Sequence, residues 1–262
     1  MTDMRKSFMG SCEIAGCTIA ASSMNCGLEI KPAFYDHFFG KRDTTSSPKG
    51  PGGALAQQKT LYRWAPGLAK MTASGLPLSG LGGIWNEAFN ANPTDGLIVF
   101  SDGGITKGIS QGIISSLTID ARAGENVSIS VELIGIELAA GGGGSQAGVD
   151  CIPPITWNDF SVDSGFGTAV GFTVTISNPV KPVYTSNRGY YADVLRVGIQ
   201  EITGSITTID GEDWKKEGSI SFNAACAGGG GGSFLCLFEG SKYSGDSGGI
   251  ACSTTNFYGY QN

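Results

Sequence analysis

From Val127 to Leu133 apolar and polar residues alternate one for one, V-S-I-S-V-E-L. A period of two is the mark of a β-strand with one face packed and the other wet. The alternation predicts a strand over 126–138, paired with one over 112–120 through the Ala123-Gly124-Glu125 turn. Val127, Ile129, Val131 and Leu133 are then expected in the core, and Ser128, Ser130 and Glu132 on the wet face. Phe172, Val174 and Ile176 alternate with Thr173 and Thr175 in the same way, within a strand over 170–177. The strand ending in GIQEITGSITTI carries a polar row of Glu201, Thr203, Ser205 and Thr207. Further strands are expected over 13–20, 97–100, 157–163, 193–209, 219–224 and 233–238, with Asp102-Gly103-Gly104 closing the second of these.

Helical signals are few. Ile84–Asn90 reads as a brief helix, and DGEDWKKEG at 210–218 offers a capping aspartate followed by acidic residues that suit a helix N-terminus. Segments 41–60, 139–154 and 225–233 read as long loops, the last two because of glycine runs at 141–144 and 228–232. The polar, aromatic and glycine-rich residues 241–262 read as a C-terminal extension of a single β domain spanning 1–262. A strand ending in a turn before a longer polar segment occurs in both halves, an echo too faint to read as a repeat.

Composition narrows the function. With 42 glycines but 40% apolar residues, the chain has enough apolar surface to fold. A net charge of −6 without a basic run argues against gripping a phosphate backbone, since that needs a positive patch to release counterions. Cys12, Cys17, Cys26, Cys151, Cys226, Cys236 and Cys252 form no CxxC pair, and with a single histidine no metal site is expected. They read as reduced, packed thiols. The opening residues MTDMRKSFMGSCEIAG have no apolar run, so no secretory signal is expected, and no stretch reads as a membrane span. No cofactor motif survives inspection. GFGTAVG at 165–171 leads into a strand rather than a phosphate-binding helix, and the glycine runs lack a following Gly-Lys-Ser/Thr.

Residues 112–222 resemble the tail tube proteins of long-tailed bacteriophages. The resemblance is carried by SSLTIDARAGENVSISVELIG, by NDFSVDSGFGTAVGFTVTISNPVKPVYTSN after a glycine-rich insertion, by RVGIQEITGSITT with its Thr203-Gly204-Ser205 turn, and by EDWKKEG. It implies a mainly β fold, a β-sandwich or half-barrel with a short flanking helix. It also implies six copies in a ring whose inner wall is an inter-subunit β-barrel, rings stacked into a tube, and passage of double-stranded genomic DNA. On that reading the polar rows of Ser128, Ser130, Glu132, Glu201, Thr203, Ser205 and Thr207 are candidates to face the lumen. The partners are then further copies and other tail proteins, and the location is the virion tail, assembled in the host bacterial cytoplasm. No catalytic residue is assigned.

Two alternatives compete. Gly245-Asp246-Ser247-Gly248-Gly249 spells the nucleophile motif of chymotrypsin-like serine proteases, whose mechanism needs a histidine base beside the serine. His37, in YDHFFG, lacks the setting of that family's base. An aromatic tail at 256–262 would suit a glycan-binding β-sandwich.

Overall fold

The structure, a computed structural model, describes residues 10–29, 32–34, 62–64, 68–100, 106–135, 137–140, 152–165, 167–183, 194–209, 217–225, 229–244 and 252–260. The first half runs β1 (Gly10–Ile14), β2 (Cys17–Glu29), β3 (Pro32–Phe34), β4 (Tyr62–Trp64), β5 (Leu68–Ser79), α1 (Leu81–Asn90), β6 (Thr94–Phe100), β7 (Thr106–Arg122), β8 (Ser128–Gly135) and β9 (Glu137–Ala140). After a 3-10 turn at Trp157–Asp159 the second half runs β10 (Phe160–Asp163), β11 (Thr168–Ser177), β12 (Val180–Val183), β13 (Val194–Val197), β14 (Glu201–Ile209), β15 (Glu217–Ala224), β16 (Gly230–Ser244) and β17 (Cys252–Tyr260). The fold is mainly β, as the alternation requires.

In the first half the order β7-β6-β1-β2-β5-β8 returns to β7, closing a six-stranded barrel. Ile14, Ile19, Met71, Ile98, Ile114 and Leu133 fill its interior, none more than 0% exposed. The second half repeats the layout. Its order, β10-β15-β16-β17-β14-β11, matches β1-β6-β7-β8-β5-β2 strand for strand. The short pair β3–β4 lies between β2 and β5 in the chain, and β12–β13 lies between β11 and β14.

Two irregularities match as well, while the shift of β6 against β7 between Thr94 and Gly96 has no counterpart in the regular β15–β16 pair. β2 shifts register against β5 between Ala21 and Ser23, and β11 shifts against β14 between Ala169 and Gly171. β7 shifts against β8 between Ile114 and Ser116, and β16 shifts against β17 between Phe238 and Ser241. Aligning the first pair of bulges, through β5–β8 and β14–β17, aligns the second pair without further adjustment. Bulges fix local twist and are specific features of a strand pair, so two coincidences in register are hard to obtain from unrelated sheets. The described strands therefore fall into two halves of one topology. Among the described residues β10 and β11 form no ladder, so the second half stays open where the first closes through β1–β2.

The halves join through β7. One side of β7 pairs with β8 and β9; the other pairs with β6 along Thr106–Gly112 and with β11 along Ser116–Arg122. Between these partners the carbonyls of Ile114 and Ser115 face no strand, and Asn178 fills the gap. Its backbone N–H donates to Ser115 O at 2.8 Å, and its Nδ2 donates to Ile114 O and to Ala88 O, each at 2.8 Å. Gln200 Nε2 donates to Asn178 Oδ1 at 2.8 Å and to Phe89 O at 2.9 Å. The end of α1, whose last carbonyls lack helical partners, is thus tied to the point where the sheet divides.

Leu81, Ile84, Trp85 and Ala88 recur at helical spacing and form the buried face of α1. Trp85 meets Phe222 edge-on at 4.8 Å and Phe234 at 5.5 Å, so a helix of the first half plugs the core of the second. The glycine run expected as loop is part of this contact. Gly230–Gly232 belong to β16, and a Cβ on Gly232 would collide with the Trp85 indole.

Other expectations change in detail. The strand expected over 13–20 is a hairpin bent at Ala15 (φ 54) and Gly16 (φ 73). The strand over 193–209 breaks at Gly198–Gln200, residues 157–159 form the 3-10 turn, and Ala139 and Ala140, expected in a loop, lie in β9. The supposed C-terminal extension contributes the end of β16 and all of β17, which lies between β14 and β16. The flanking helix is α1; the helix signal at 210–216 lies outside the described residues, and Glu217 and Gly218 are strand. The turn at 102–104, the glycines at 141–144 and the whole 41–60 loop also lie outside them.

Candidate functional site: one polar face across eight strands

Combining the pairings gives an unbroken antiparallel run, β2-β5-β8-β7-β11-β14-β17-β16. One face of this run belongs to the two cores. Val127, Ile129, Val131 and Leu133 are buried, and so are Phe172, Val174 and Ile176. The other face collects the candidate polar residues of both halves. Ser128, Ser130 and Glu132 lie on it in β8, and Glu201, Thr203, Ser205 and Thr207 lie on it in β14.

Register lines these residues up with others that the sequence did not single out. One row runs Ser23, Ser74, Ser130, Thr118, Thr175, Thr203, Tyr258, Leu237. A second runs Asn25, Thr72, Glu132, Ser116, Ser177, Glu201. A third joins Ser128, Asp120, Thr173, Ser205 and Asn256. Alternation of Thr173 and Thr175 with buried neighbours was the available signal for β11. In β17, read as tail, hydroxyls at the buried positions Ser253 and Thr255 hid the alternation.

Hydrogen bonds knit the face. Thr118 and Thr175 hydroxyls lie 3.0 Å apart across the seam between halves, and Thr207 and Thr254 lie 3.0 Å apart farther along. Thr173 Oγ1 donates to Asp120 Oδ1 at 2.7 Å, and Arg122 Nη2 approaches Asp120 Oδ2 at 3.4 Å. Lys70 Nζ lies 2.8 Å from Glu132 Oε2, while Ser115 Oγ donates to Glu132 Oε1 at 2.8 Å. Lys70, Arg122 and Lys242 are interspersed with Asp120, Glu132, Glu201 and Glu239, so the face presents hydroxyls among charges of both signs. A shallow depression of about 320 Å³ opens among Ser22, Ser74, Asp120 and Ser130.

Nothing else on the described surface assembles a catalytic set. Cys12, Cys26 and Cys236 are free thiols. Burial pushes the Cys12 thiol far up, with the nearby Cys17, Cys26 and Glu13 adding to it; it pushes Cys236 up to about 11 and also raises Cys26. Thiols held protonated are packing residues rather than nucleophiles. Among the described residues no His/Cys/Asp/Glu cluster could hold a metal ion, and no helix is long and apolar enough to cross a membrane. His37 and Ser247 lie outside the described residues.

A two-part β shell with one continuous hydroxyl-rich face is the form of a structural subunit. Residues 20–258 match the family model described as phage tail tube protein, and the chain belongs to that family. The match takes in β3–β6, β16 and most of β17, beyond the 112–222 span of the resemblance. No curated protein sequence matches the chain. The family makes this a structural protein of the virion tail, built into oligomeric tail assemblies with other tail proteins. It lends no support to the protease or glycan-binding alternatives.

Proposed function

We propose that the protein forms stacked rings, six tube units around, whose polar face lines a conduit for genomic DNA. The observation that carries this reading is the unbroken eight-strand face, hydroxyl-rich and mixed in charge, whose end strands β2 and β16 each keep a stretch of edge without a partner strand among the described residues. Small hydroxyls and neutralised carboxylates let a polyanion slide, because no set of cations is offered for counterion exchange. Unpaired edges invite strand addition, and ring closure satisfies them. The subunit acts by assembly rather than catalysis, takes no cofactor, and is assembled in the host bacterial cytoplasm before it joins the tail. Ser128, Ser130, Glu132, Glu201, Thr203, Ser205 and Thr207 face the lumen.

Negative-stain microscopy of concentrated protein, with DNA co-sedimentation, tests the reading. Wild-type protein is expected to form rings or tubes with a central hole and to retain little DNA. Tubes of the Ser130→Arg/Thr203→Arg variant are expected to hold DNA at low salt and release it steeply as salt rises. Compact monomers at high concentration would overturn the ring. Intact variant tubes that ignore DNA as the wild type does would overturn the lumen assignment.

A further inference from the structure

We infer that each chain joins the next by repeating its own internal seam, with the β16 edge at Gly240–Ser244 pairing antiparallel with the β2 edge at Asn25–Glu29 of a second copy. The inference rests on the ring proposed above and specifies its contact. Within the chain, β7 of the first half pairs with β11 of the second, Asp120 opposite Thr173 and Thr118 opposite Thr175. The matched bulges carry each strand onto its counterpart: β7 onto β16, with Asp120 falling on Ser244, and β11 onto β2, with Thr173 falling on Asn25. Both counterpart edges are open among the described residues. β15 reaches along β16 only to Leu237, and β1 reaches along β2 only to Ala21.

Exposure supports the same conclusion. Ile119, on the core side of the internal seam, is 0% exposed, whereas its counterpart Tyr243 is 65% exposed. Val174 and Ile176 are buried beneath the seam, whereas their counterparts Cys26 and Leu28 are only half-buried. Each residue is uncovered where the repeat of the seam would place a neighbouring strand. The contact is head to tail, so it propagates until the rotation closes. Because every chain supplies two tube units, a ring of six units closes with three chains rather than six.

Asn25→Cys combined with Ser244→Cys tests the register, because opposed residues of an antiparallel pair lie within disulfide reach. The variant is assembled under reductant, checked for rings by microscopy, then oxidised and run on a denaturing non-reducing gel beside each single variant. The expected result is a covalent ladder that stops at the trimer, absent from both single variants and from unassembled protein. Rings that fail to cross-link overturn the seam, and a ladder reaching the hexamer overturns the count; both leave the ring reading standing. Protein that forms neither rings nor tubes overturns that reading and the inference with it.

Discussion

Replacing Asn178 tests how the two halves are held together. The side chain is 1% exposed and engages in three hydrogen bonds of 2.8 Å, two donated by Nδ2 and one accepted by Oδ1. In Asn178→Ala the Ile114 carbonyl loses this donor at the point where β7 passes from β11 to β6. A buried carbonyl left so costs about 1–3 kcal/mol. Ala88 O retains Gln200 Nε2 at 3.2 Å, so its loss is partial. The bond to Gln200 adds about 1 kcal/mol, for a total of roughly 2–4 kcal/mol. Urea unfolding of dilute protein, followed by tryptophan fluorescence, should show a lower midpoint at unchanged slope. Asn178→Asp should be worse than Ala, because it keeps the acceptor for Gln200 but turns a carboxylate toward two carbonyls. An Ala variant within about 0.5 kcal/mol of wild type, or an Asp variant as stable as Asn, would refute the account, since surface-like changes fall in that range.

Gly232→Ala should destabilise the protein by about 1–3 kcal/mol, because the added methyl meets the Trp85 indole. Gly27→Ala, with open space around it, should leave the monomer's midpoint unchanged, and equal effects in thermal melts would contradict the assigned contact. At pH 8 iodoacetamide should leave Cys12 and Cys236 unmodified in native protein and label them after unfolding, as peptide mass spectrometry can read; native labelling at the rate of a free thiol would oppose this. The same raised values set a pH trend. The folded chain keeps these thiols protonated where the unfolded chain has lost its protons, so their stabilisation is whole below pH 9 and falls as pH rises toward about 11 for Cys236. A midpoint flat between pH 8 and 11 would count against it.

The alternation at 126–133 and 172–176 made the core positions and the facing polar rows legible, because a strand half in water writes its burial into every second residue. The duplicated architecture was not legible. Equivalent positions hold different residues, and the long loops spread the matching strands unevenly along the chain. Glycine misled for a related reason. In 228–232 it reads as a flexible linker, but Gly232 is in a strand because a tryptophan from the other half takes the space of its side chain. In 252–260 alternation was present, as Ser253, Thr255 and Phe257 are buried, but hydroxyls at core positions hid the inward face.

Comparing the halves residue by residue separates what packing tolerates from what the polar face requires. Met71 opposes Leu133 in the first half, and the counterpart pair is Gly204 opposite Phe257. A Cβ on Gly204 would strike the Phe257 ring, so the larger residue on one strand is accommodated by the smaller on its neighbour. Cores accept such exchanges when total volume is kept. The exposed face follows another rule. Thr72 and Ser74 correspond to Ser205 and Thr207, and Ser130 corresponds to Thr254, a hydroxyl for a hydroxyl at these three positions, while Lys70 falls on Thr203, Thr118 on Lys242 and Asp120 on Ser244, polar for polar but with charge exchanged. No packing demand enforces this, since a half-exposed position accepts most polar residues at little cost. On the proposed lumen reading the selection acts from the solvent side: small hydroxyls at these three positions offer a passing polyanion no cation to bind, whereas arginine there would bind phosphate.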